Sequence, residues 1–76
     1  MKNKDINLEL KKIVKQFDSD DVSNKIIGFL GLNMSDNGEY DHILDLAAAS
    51  EKPGKYAESE RLKFYEELKR AIENLE

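Results

Sequence analysis

The last twenty residues carry the strongest constraint on the fold. Between Ala57 and Leu75 the apolar residues Phe64, Tyr65, Leu68, Ala71, Ile72 and Leu75 recur at steps of three and four. That spacing gathers side chains on one face of an α-helix, where strand alternation would scatter them. A helix with one apolar face has to bury it against other elements. The rest of the chain offers matching faces. Ile6, Leu10, Ile13, Val14 and Phe17 form a first stripe, and Val22, Ile26, Ile27, Phe29 and Leu30 a second. Tyr40, Ile43, Leu44 and Ala47 form a third, with Leu46, Ala48 and Ala49 extending its apolarity around the cylinder. The pattern predicts an all-α, compact four-helix domain, either a bundle or an orthogonal array, with helices at about 4–17, 20–30, 39–50 and 55–75. The expected core is Leu10, Ile13, Phe17, Ile26, Leu30, Leu44, Tyr65, Leu68 and Ile72.

The boundaries have local causes. Asp18 to Asp21, DSDD, supplies N-cap candidates whose carboxylates suit the positive end of a helix dipole. Gly31-Leu32 fits a helix stop in which the glycine turns and the leucine packs back. Gly28 lowers helix propensity inside the second segment, so it signals either close packing or a weak helix. Asn33 to Gly38 reads as a turn, and Lys52-Pro53-Gly54 breaks the chain before the last helix.

Size then limits stability. A chain of 76 residues is one domain, near the lower limit for a self-sufficient apolar core. With no cysteine there is neither a disulfide nor a thiolate metal site to assist. No apolar run reaches the ~20 residues of a membrane span, and the charged start lacks the apolar core of a signal peptide. The expected location is the cytoplasm, without a membrane partner. Ten lysines, six asparagines and six isoleucines against two arginines match AT-rich codons, as in many bacterial or phage genes.

Charge is distributed unevenly around the net −4. Residues 1–17 carry +3, residues 18–51 carry −7, and residues 52–76 balance. The acidic middle repels phosphate backbones and suits a basic partner surface.

Catalytic and metal-binding patterns are poorly supported. His42 is the one histidine, and its neighbours Asp41 and Asp45 do not form a chelating spacing, so a solvated face is expected there. Asn33, Ser35, Asn37, Gly38, Glu39 and Asp41 match six positions of a twelve-residue calcium loop. Leu44 stands where that loop needs a bidentate glutamate, and the first position is a neutral asparagine, so no calcium site is expected. The run Ile26 to Asn33 superficially resembles a helix-turn-helix, with Gly31-Leu32 at the turn. Bulky Ile27 stands where that motif packs a small residue, and the following segment SDNGEYDHIL has three acids and no lysine or arginine.

The function expected is therefore a noncatalytic protein-binding module without a cofactor: a small regulator, inhibitor or immunity-type protein that occupies a partner surface, in one version a basic nucleic-acid-binding site. A homodimer is compatible with the pattern, and direct nucleic-acid contact is disfavoured. The alternative is a small DNA-binding regulator using Lys4, Lys11, Lys12 and Lys15. Candidate contact residues are Asp36, Glu39, Asp41 and Asp45 in the acidic middle, together with Leu8, Leu62 and Arg61. Leu8 and Leu62 lie off their core stripes and would form a patch if the fold joined them. Arg61 lies within the apolar arc of the last helix, expected to lay its methylenes over apolar surface with its guanidinium in water or on a carboxylate, or to serve as an interface arginine.

Overall fold

A computed structural model describes residues 3–33, 38, 40–51 and 54–75, except the side chains of Asn3 and Asn33. Four helices follow in order: α1 (Asn3–Gln16), α2 (Val22–Asn33), α3 (Asp41–Ala49) and α4 (Glu58–Glu73). No strand occurs among the described residues, so the chain is an all-α, four-helix domain. Each helix packs against two others, α1 and α3 both against α2 and α4. Contacts between helix ends give the directions. The start of α2 meets the end of α3 at Ser23 and Ser50, and Lys11 of α1 reaches the carbonyl of Leu75 just beyond α4.

The stripes turn inward as their spacing requires. Ile6, Leu10 and Ile13 of α1, Val22, Ile26 and Leu30 of α2, Ile43, Leu46 and Ala47 of α3, and Tyr65, Leu68 and Ile72 of α4 are buried. Tyr40, just before α3, joins them and donates from its hydroxyl to Asn7 Oδ1 at 2.7 Å. Phe17 and Leu44, expected in the core, are partly buried and pack on its edge. For Leu44 the reason is rotation of α3. Asp41 and Asp45 mark the outer side of α3, but apolar residues share the rest of its surface, and the face buried here takes in Leu46 while Leu44 rides at the edge.

The α1–α2 turn is built by Asp18. Its carbonyl accepts the N–H groups of Asp21 and Val22, each at 3.0 Å, and its Oδ1 accepts that of Asp20 at 3.2 Å. Gly31 does not stop α2, which continues to Asn33. An exposed glycine costs a helix only about 1 kcal/mol, and Gly31 does not take positive φ. Leu32 consequently projects into solvent, 88% exposed, and does not pack back. Gly28 is exposed too, with nothing within 4 Å of where a Cβ would stand, so close packing is not its role.

Two glycines are required by geometry. Gly38, before α3, has φ +73°, which side-chain-bearing residues rarely adopt. At Gly54 a Cβ would lie 2.5 Å from the carbonyl oxygen of Glu51. The chain then bends at Lys55 and Tyr56, Ala57 is extended, and α4 starts at Glu58.

Candidate partner-binding surfaces

Arg61 reaches a carboxylate, as one expectation has it, but does so from a buried position. It is only 4% exposed, and it neither snorkels into water nor faces outward. Its guanidinium donates to the carbonyls of Ser19 and Ser50, each at 3.4 Å, and to Asp20 Oδ1 at 3.2 Å, with Glu58 at 4.0 Å. The first turn of α4 is thereby tied to the α1–α2 turn and to the end of α3. Beside it the Ser23 and Ser50 hydroxyls, both fully buried, lie 2.6 Å apart, and Ser50 Oγ donates to the carbonyl of Ala47 at 3.1 Å. Among the described residues no buried side-chain nitrogen or oxygen lacks a hydrogen bond. This polar cluster holds four chain segments together.

Leu8 and Leu62 are both exposed, at 49% and 39%, but they do not form one patch. Lys11 meets Leu75 while Arg61 meets Ser19, so α1 and α4 run antiparallel. Leu62 therefore lies near the α1–α2 turn and Leu8 beyond the other end of α4. The stretch from Leu62 to Leu75 alone spans about 20 Å at 1.5 Å per helical residue.

In the acidic middle, Asp36 and Glu39 lie outside the described residues. Asp41 and Asp45 are exposed, one turn apart on the outer face of α3. Asp41 sits in the first helical turn, where a carboxylate favours the helix dipole, and it lies beside Gly38. Asp45 borders an open groove of about 210 Å³ lined also by Ala48, Ala49, Lys55 and Tyr56. Tyr56 is 41% exposed and stacks on Phe64, their ring centroids 4.9 Å apart. The α3 surface thus combines two carboxylates, a floor of small side chains and an aromatic wall. Ala48 and Ala49 were legible in the sequence as the apolar excess of α3, whereas nothing local marked Tyr56.

A second groove, of about 440 Å³, runs between α1 and α4, lined by Lys11, Val14, Lys15, Tyr65, Lys69 and Glu73. Sequence reasoning found the lysines of α1 but not Lys69, which lies more than fifty residues away along the chain.

His42 is exposed, and among the described residues no group of three or more His, Asp or Glu side chains is placed to hold a metal ion. Ser35, Asn37 and Glu39 of the calcium-loop frame lie outside the described residues. No described helix is long and apolar enough to cross a membrane. Comparison with family models, with curated proteins and with solved structures gives no match.

Proposed function

We propose that this chain is a noncatalytic protein-binding module of the cytoplasm. On this reading it is a small regulator, inhibitor or immunity-type protein that occupies a surface of a larger, basic partner. One observation carries the reading: the outer face of α3 joins the exposed carboxylates of Asp41 and Asp45 to a groove floored by Ala48 and Ala49 and walled by Tyr56. Small side chains let a partner approach closely. Exposed tyrosine supplies contact area at low entropy cost, and the carboxylates steer cationic surfaces during encounter. A basic nucleic-acid-binding site is one partner surface with this chemistry.

Affinity capture from the producing cell with the parent and with Ala48→Arg as paired baits tests the proposal. Position 48 is solvent-exposed on α3, so arginine there leaves the core intact while adding bulk and positive charge to the groove. A protein retained by the parent and lost with Ala48→Arg supports the reading. No retained protein, or equal retention by both baits, overturns it.

A further inference from the structure

We propose that the groove between α1 and α4 is a second docking site, and that its occupant is an acidic amphipathic helical segment of another protein. On α1, Lys4, Leu8, Lys11 and Lys15 stand at i, i+4, i+7 and i+11, one stripe about 16 Å long. Lys4 and Lys15 are exposed at its two ends, and Leu8 is half exposed between them. Across the groove α4 contributes Lys69, whose Nζ lies 5.8 Å from the centre of the Tyr65 ring and 4.0 Å from Glu66. Val14 and Tyr65 form the apolar part of the lining, and Lys11 is drawn toward the groove wall by its bond to the Leu75 carbonyl. The result is a cationic rim on an apolar floor, in a chain whose net charge is −4.

That combination selects the occupant. A segment with carboxylates about three turns apart meets Lys4 at one end of the stripe and Lys15 and Lys69 at the other, with apolar side chains between them over Leu8 and over Val14 and Tyr65. The stripe matches about three turns of such a helix. Duplex nucleic acid fits less well. Its phosphates gain nothing from the apolar floor of Val14 and Tyr65.

The site lies on different helices from the α3 face, so the two readings stand or fall separately. The test uses a synthetic helical peptide without lysine or arginine, carrying Glu at i, i+4, i+7 and i+11 and Leu at i+3 and i+8. A copy with every Glu replaced by Gln and a short DNA duplex serve as comparators. Amide shifts of the intact protein and fluorescence anisotropy are followed at low and high salt. The expected result is saturable binding of the acidic peptide, with shifts centred on Val14, Lys15, Tyr65 and Lys69, and affinity falling about tenfold or more in high salt. Lys15→Glu/Lys69→Glu abolishes it. The milder Lys15→Gln/Lys69→Gln, which keeps helix propensity, weakens it. Circular dichroism confirms that both variants remain folded. The proposal is overturned if the acidic peptide shows no saturable binding, if the Gln peptide binds equally, or if binding survives both lysine variants. It is also overturned if the duplex alone binds through these lysines, which would assign the groove to nucleic acid.

Discussion

Ser50→Ala should destabilise the protein more than Ser23→Ala, although the two hydroxyls are equally buried. Both hydroxyl protons find acceptors only if Ser50 donates to the Ala47 carbonyl, 3.1 Å away, and Ser23 donates to Ser50 Oγ, 2.6 Å away. Removing the Ser23 hydroxyl then deletes one hydrogen bond and leaves Ser50 donating as before. An intramolecular hydrogen bond is worth about 1 kcal/mol net. Removing the Ser50 hydroxyl strands the Ser23 donor in a site with no solvent exposure, and an unsatisfied buried group costs roughly 1–3 kcal/mol. The double variant removes donor and acceptor together and should cost no more than Ser50→Ala alone. The coupling between the two positions is then at least as large as the Ser23→Ala effect. For a domain of this size each kcal/mol moves the melting midpoint by about 4–8 °C, well within resolution. Urea unfolding of the parent, both single variants and the double variant measures the cycle, with equal slopes required for the comparison. Ser23→Ala costing as much as Ser50→Ala, or strictly additive effects, would refute the assigned hydrogen-bond direction.

Other substitutions probe other parts of the packing. Arg61→Met keeps much of the aliphatic volume but removes the bonds to Ser19, Ser50 and Asp20. Because Asp20 is 48% exposed and can rehydrate, the loss should be about 2–3 kcal/mol, below the 3–5 typical when a fully buried pair is broken; an unchanged urea midpoint would show that this cluster is not structural. Gly28→Ala should stabilise the domain by roughly 0.5–1 kcal/mol, since the added methyl meets open space in a helix interior. A lower melting point for that variant would contradict the placement of Gly28. Leu68→Ala, at a position with no solvent exposure, should cost about 2–5 kcal/mol, read as a large drop in thermal midpoint.

What the sequence discloses depends on whether the informative partners are near in the chain. The stripe of α4 needed nothing beyond its own periodicity, and Tyr65, Leu68 and Ile72 are buried as spacing predicts. The rotation of α3 was not legible in the same way, because apolar residues cover most of its surface and Tyr40, Ile43, Leu44 and Leu46 compete for the inner face. Gly31 carried a plausible stop signal, but a glycine ends a helix only if the chain adopts left-handed geometry there, and α2 does not. Arg61 within an apolar arc was conspicuous. Its function is set by carbonyls of Ser19 and Ser50 that only the folded chain brings within reach. The candidate surfaces divide likewise: Asp41 and Asp45 share one helix and were visible, whereas Tyr56 and Lys69 join their grooves through tertiary packing.

The role proposed for α3 is tested most directly by photocrosslinking from position 48. A photoreactive phenylalanine analogue at Ala48 is compared with the same analogue at Arg70, which is also exposed but lies on α4. Irradiation of producing cells should yield a discrete protein adduct from position 48 and not from position 70. The adduct should weaken when Asp41 and Asp45 are changed to Asn, because steering by the α3 carboxylates is lost. No protein adduct from position 48, or one of equal yield from position 70 or with the neutralised carboxylates, would contradict a partner-binding role for this face.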